Sequence, residues 1–388
     1  AQELLDDLDD MEEWPEKVRS MQQNWIGRID GAEVLFDVDG SDLSIRVFTT
    51  RIDTIYGATY VALAAEHPFI QELNRDVPER EAVQAFLDQQ LSRTLEDRIA
   101  DAAEKTGVFT GRDAVTPFSG ERMPIWIANF VLTDVGTGAI MSVPAPDERD
   151  FAFARKFGLP IRPVVRPRDG EPPDPDAMEG AFSGSGIVCG SEGFDDLTTA
   201  EAGTRMGRHA EQHGFGKRTV TYRLKDWGIS RQRYWGTPIP VIHCPECGPV
   251  GVPDEKLPVL LPEEIEFSGE GASPLSRVES FVQTTCPTCH GPARRDTDTM
   301  DTFVDSCWYY FRYLDPRNGK QPFDWELVRP WLPVDLYIGG IEHATMHLIY
   351  TRFWTKMMRD MGLVDIDEPV TRLLNQGMVI KDGFKMSK

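Results

Sequence analysis
Four of the six cysteines fall into two short pairs, Cys244-Pro-Glu-Cys247 and Cys286-Pro-Thr-Cys289. Each pair sets two thiols at the tip of a tight turn, where one tetrahedral zinc can take both sulfurs at about 2.3 Å. Joining the pairs closes a 38-residue gap, which is tolerable because loop-closure entropy grows slowly with length. The pattern therefore constrains this stretch to a small metal-stapled module. With four protein ligands, such a zinc is structural and keeps no open position for catalysis. A redox pair and metal-free buried thiols are the alternatives, and the flanking His243 and His290 could replace a sulfur. Cys189 and Cys307 lack such partners and read as small core residues.

The 388 residues exceed the usual size of one domain, so two or three packed units are expected. At 40% apolar and 27% charged the composition is that of a globular protein. No apolar run approaches the roughly 20 residues a bilayer crossing needs. The opening stretch AQELLDDLDDMEEWPEKV is acidic and lacks a basic-then-apolar signal pattern, which points to the cytoplasm. A net charge of -22 argues against a broad nonspecific nucleic-acid surface, since phosphate neutralisation needs clustered Lys and Arg, but leaves room for a local basic groove.

Along the chain, Leu4, Leu5, Leu8, Met11, Val18 and Met21 recur at roughly helical spacing, with Pro15 marking a break or a second helix start. From Trp25 the pattern turns to short alternating runs, VLFDV and LSIRVFTT, which read as strands. MPIWIANFVLTDV and TGAIMSVPA continue the β-rich region, with a helix expected within Glu79 to Lys105. The Pro-, Asp- and Gly-rich PVVRPRDGEPPDPDAMEG reads as an exposed loop. After a basic segment, KRTVTYRLKDWGISRQRYWGTPIP, come the cysteine pairs. Strand-like VDLYIGG and helix-like EHATMHLIYTRFWTKMMRDMG then suggest an α/β layer.

The segments WGISRQRYWGTPIP, DTMDTFVDSCWYYFRY, YIGGIEHATMHLIYTRF and the terminal KMSK together resemble the class I aminoacyl-tRNA synthetases, and most closely the bacterial-type leucyl-tRNA synthetases. FTTRIDTIYGATYVALAAEHP and GTGAIMSVPAPDERDFAFA resemble that family's inserted editing domain. The resemblance covers essentially the whole chain. It implies a multidomain α/β protein, part of a class I Rossmann-like catalytic domain carrying a β-rich α/β editing insertion and a small zinc module. It places the end of the first catalytic half at 1–24, the editing domain at 25–217, a return to the catalytic core at 218–242, the zinc module at 243–295 and the second catalytic part at 296–388. It further implies a cytoplasmic monomer whose partners are leucine, ATP with Mg2+ and leucine tRNA. The chain would then be an internal fragment, ending inside the KMSK loop and not expected to aminoacylate by itself.

Leucine activation needs little covalent help beyond orientation and charge stabilisation. By the resemblance Lys385 and Lys388 contact the ATP phosphates, with Met386 and Ser387 shaping the loop. Gly339 and Gly340 allow close backbone approach. Gly340 and Glu342 lie at the ATP ribose, and His343 and His347 near the aminoacyl-adenylate; packed helix histidines are the alternative. Discriminating leucine from isoleucine or norvaline by one methylene yields only about 1–3 kcal/mol, so a second, hydrolytic sieve is expected. There, by the resemblance, Asp150 pairs with the substrate ammonium and Asp147 supports the pocket, the two lying on one face of a helical turn. The hydroxyls of Thr49 and Thr50 would hold water and the terminal ribose, and Thr54 would narrow the pocket against leucine. Met141 and Val143, alternating with Ala139, would line it.

Two positions depart from the family pattern. Ile52 stands where Pro is common, which should alter only loop stiffness, and Pro146 stands where His is common, which removes a hydrogen-bonding group near the scissile ester. A valyl- or isoleucyl-tRNA synthetase fragment is the nearest alternative. A non-catalytic, zinc-containing RNA-binding module is the alternative of another class, and deacylation of mischarged tRNA would separate it.

Overall fold
The computed structural model describes residues 1–92, 104–133, 136–265 and 273–386. The chain forms two compact units, one of Ile29–Thr221 and one joining Ala1–Arg28 to Tyr222–Lys388.

The Ile29–Thr221 unit is built on a seven-stranded sheet. Six of its strands are β1 (Arg28–Val38), β2 (Ser44–Thr49), β3 (Tyr60–Leu63), β4 (Gly107–Val115), β5 (Arg122–Ala128) and β6 (Ala139–Ser142), in spatial order β2-β1-β4-β5-β3-β6; the strand Gly216–Tyr222 adds to β1. Alternation explains β1 and β2: Ala32, Val34, Phe36, Val38, Ile45 and Val47 are buried while the residues between them are more open. β3 breaks that rule, with all four residues buried. It lies between β5, parallel, and β6, antiparallel, and a strand covered on both faces reads as a continuous apolar run.

The helix Glu148–Phe157 follows β6. Asp147 caps it by accepting the N–H groups of Arg149 and Asp150, and Gly158, at φ +66°, ends it in the left-handed conformation that favours glycine. Its buried Phe153 stacks on Tyr60 of β3 at 5.1 Å. The helix expected within Glu79 to Lys105 spans Arg80–Leu91, and residues 93–103 lie outside the described set. The proline-rich loop is largely irregular, tied back where Arg155 donates to the carbonyls of Pro175 and Met178.

In the other unit the opening stretch folds as two helices, Gln2–Asp6 and Glu16–Ile26, with Pro15 preceding the second. Leu8, Met11, Trp14 and Val18 pack with Ala344, Leu348, Val370 and Leu373. The strands Val334–Gly340 and Val370–Gln376 form a parallel pair, and the helix His347–Asp360 follows the first. Arg352 of that helix is fully buried. Its guanidinium donates to both Glu368 oxygens, Gln22 Oε1 and the Leu4 carbonyl at 2.8–2.9 Å, so every face of the desolvated charge has a partner. A four-stranded antiparallel sheet carries the cysteines. No described helix is long and apolar enough to cross a membrane.

Candidate active sites and metal centre
In the Ile29–Thr221 unit, a cavity of about 420 Å³ is lined by Thr49, Thr50, Arg51, Thr54, Met141, Val143, Pro146, Asp147, Arg149 and Asp150, with Ile29, Phe48 and Ile140. Every editing residue expected from the sequence is thus brought to one cavity. Two details differ from expectation. Asp147 is not in a helical turn but in extended conformation as the cap, with its carboxylate engaged by the helix N-terminus and by the Arg149 guanidinium. Ala139 belongs to the hydrophobic core and Ile140 takes the lining position.

Thr49 ends β2, and the chain turns through Thr50 and Arg51 into the short 3-10 helix Ile52–Gly57. The turn is held by its own side chains. Thr49 Oγ1 accepts the Arg51 N–H at 3.0 Å, Thr54 Oγ1 donates to the Arg51 carbonyl at 2.8 Å, and the Arg51 guanidinium grips Asp53 with two bonds of 2.9 Å. Thr54 is 1% exposed, and with its hydroxyl spent on the backbone its methyl is the part left to shape the cavity. Thr49 retains its own proton as a donor. Ile52 joins the hydrophobic core, so the position is a packing site as well as a question of loop stiffness. Pro146 forms part of the wall without a side-chain donor.

Asp150 is 4% exposed. Burial, then the neighbouring Asp147 charge, raises its pKa to about 7, opposed by the Val143 N–H, Arg149 and Ser142. Oδ2 accepts the Val143 N–H at 2.8 Å. A desolvated carboxylate of this kind, poised near neutrality beside a cavity, is suited to receive a cation. Arg149, Arg51 and Tyr60 escaped the sequence reading, although Arg149 sits between the two aspartates in the motif.

In the other unit, a cavity of about 310 Å³ is lined by Phe303, Tyr337, Gly339, Gly340, His343, His347 and Asn375 among others. His347 is 8% exposed, and burial followed by the His343 charge lowers its pKa to about 4, so the ring is neutral at physiological pH. Its Nε2 meets the Tyr337 hydroxyl at 3.0 Å, and that hydroxyl meets Tyr309's at 3.2 Å. A β-carbon on Gly340 would lie 2.2 Å from Glu342 Oε2, so only glycine lets that carboxylate fold back there. Glu342 itself is exposed and does not line the cavity. Neither does Lys385, exposed on the hairpin Ile380–Lys381 and Phe384–Lys385; Ser387 and Lys388 lie outside the described residues.

The four cysteines Cys244, Cys247, Cys286 and Cys289 converge with all sulfurs within 4.8 Å of one another. A tetrahedral zinc with 2.3 Å bonds sets its sulfurs about 3.8 Å apart, so the donor set fits in type and spread. His243 turns instead to Asp296 at 2.9 Å, and neither it nor His290 belongs to the cluster.

Residues 23–211 match the family described as leucyl-tRNA synthetase, editing domain, and residues 217–388 match the class I tRNA synthetases of the I, L, M and V group. The chain belongs to the leucyl-tRNA synthetase family. Leucine–tRNA ligases of Solibacter usitatus and Thermotoga maritima are 56% and 53% identical to it, over 100% of this chain and 47% of each relative. The chain thus spans about half the length of the curated relatives it matches. LeuRS of Agrobacterium radiobacter K84, solved as a ternary complex with tRNA and LeuAMS, is 45% identical with a TM-score of 0.83, covering 100% of this chain and 44% of that one. These leucyl-type matches set aside the valyl and isoleucyl alternatives.

Proposed function
We propose that the Ile29–Thr221 unit hydrolyses tRNA esterified with the wrong amino acid, within an enzyme that activates leucine with ATP and Mg2+ and charges leucine tRNA. The observation that carries this reading is a buried Asp150 carboxylate facing a cavity walled by Thr54, Met141 and Val143. The substrate's ammonium is the group all aminoacyl esters share, and Asp150 pairs with it; a charge-assisted contact in a desolvated site is strong. The amino-acid side chain then lies against Thr54, whose methyl excludes leucine. Thr49 and Thr50 hold the terminal ribose and the attacking water, which adds to the ester carbonyl and releases the free amino acid and the tRNA 3′ hydroxyl. Asp147 acts indirectly, holding the helix start that carries Asp150.

In the other unit, His343 and His347 flank the aminoacyl-adenylate, and Gly340 and Glu342 take the ribose. Lys385 and Lys388 contact the ATP phosphates. Neutral His347 serves as a hydrogen-bonding group and not as a cation. The four cysteines hold one structural zinc, expected as one equivalent per chain by metal analysis. The domain limits follow the sequence assignment, editing at 25–217 and zinc at 243–295, in a cytoplasmic monomer.

The test is ester release from leucine tRNA carrying isoleucine or leucine. The chain should hydrolyse the first and spare the second; equal rates, or none on isoleucyl-tRNA, would refute the reading.

A further inference from the structure
Two fully buried hydroxyls approach Asp150 from the sheet, and neither lines the cavity. They belong to Tyr60 of β3 and Ser142 of β6, which are direct register partners. The Tyr60 hydroxyl donates to Asp150 Oδ1 at 3.5 Å, the long limit of a hydrogen bond, while the Val143 N–H holds Oδ2. Ser142 Oγ is buried with no hydrogen-bond partner in this arrangement, yet it is near enough to influence both the Tyr60 hydroxyl and the Asp150 carboxylate. A buried, unpartnered hydroxyl beside an acceptor is costly, and the cost is recovered when the acceptor becomes an anion. The Tyr60 ring is fixed independently, stacked on Phe153 of the helix that carries Asp150.

We propose that Tyr60 and Ser142 are positioning residues for editing: their hydroxyls fix the Asp150 carboxylate, favour its ionised form and so set the lowest pH at which it holds a substrate ammonium. This rests on the reading of Asp150 as the ammonium-binding group. The other groups acting on the carboxylate are Asp147 and Arg149 at the start of its own helix, with Lys105 acting on that pair, and the N–H of Val143, the residue that follows β6. Tyr60 keeps its proton throughout, because burial and then the Asp150 charge push its pKa up.

The experiment follows the Asp150 carboxyl carbon by NMR across pH in the 388-residue chain, with deacylation of isoleucyl-tRNA measured over the same range. Tyr60→Phe leaves the ring on Phe153 and should raise the Asp150 midpoint by on the order of half to one pH unit. Ser142→Ala should raise it less, and the double variant most. Below the midpoint Tyr60→Phe should deacylate up to about tenfold more slowly, and above it at the parent rate. A merely structural role would lower the rate by one factor at every pH. An unchanged Asp150 midpoint in both single variants and the double variant overturns the proposal. Failure of the underlying reading is distinguishable: Asp150→Asn would then deacylate at the parent rate, whereas the NMR midpoints are read without substrate.

Discussion
The cavity around Asp150 and the cavity around His347 are similar in size, about 420 and 310 Å³, but they are held by different amounts of structure. Behind the first stands a seven-stranded sheet whose strand β3 is buried on both faces, and Asp150 is fixed from its own helix and by the N–H of Val143, just after β6. Behind the second stands a parallel pair of strands, on which Leu336, Ile338 and Leu374 are 37%, 60% and 52% exposed. Parallel strands are ordinarily covered on both faces, so apolar side chains left open here mark a surface that calls for cover. Each cavity nonetheless buries one titratable group: Asp150, raised to about 7, in the first, and His347, lowered to about 4, in the second. Asp150 is raised to about 7 by burial that its own unit supplies, whereas Lys385, proposed above to contact phosphate, lies on an exposed hairpin.

Substitutions at the first cavity should have large, separable effects. Asp150→Ala removes the proposed partner of the substrate ammonium, and deacylation of every aminoacyl-tRNA should fall on the order of 100- to 1000-fold; retention of isoleucyl-tRNA hydrolysis would refute that role. Asp150→Asn tests the same burial through stability. The folded carboxyl titrates near 7 against an ordinary value of 3.8, so the native state binds more protons in that window and loses stability as pH rises through it. The neutral amide should thus stabilise the chain at pH 8 by on the order of 2–4 kcal/mol, with no gain at pH 3. Denaturant melts at the two pH values measure this, and an equal effect at both would deny the raised pKa. Thr54→Ala opens about one methyl of space, so hydrolysis of leucyl-tRNA should rise on the order of 10- to 200-fold. If leucyl-tRNA stays as stable as with the parent, Thr54 is not the sieve.

Much of this was legible in the sequence where the signal is local. The cysteine pairs and the Thr49–Thr54 turn each close within a few residues, and the structure assembles them as units. The alternation in β1 and β2 marked their buried faces directly. Spacing misled where the backbone changes state: Asp147 and Asp150 are three apart, yet the first is an extended cap and the second is helical. Ile52 was read for its backbone, but its side chain enters the core. Tyr60 lies 90 residues from Asp150, and only strand pairing brings them together. Local spacing carries no trace of such a contact.

The most direct measurement is calorimetric titration of the chain with a non-hydrolysable isoleucyl-adenosine analogue in which an amide replaces the ester. One equivalent should bind to the parent and to Tyr337→Phe alike, and binding should be lost in Asp150→Ala. Equal binding by Asp150→Ala, or a loss confined to Tyr337→Phe, would contradict the account by placing the aminoacyl-adenosine site outside the wall that buries Asp150.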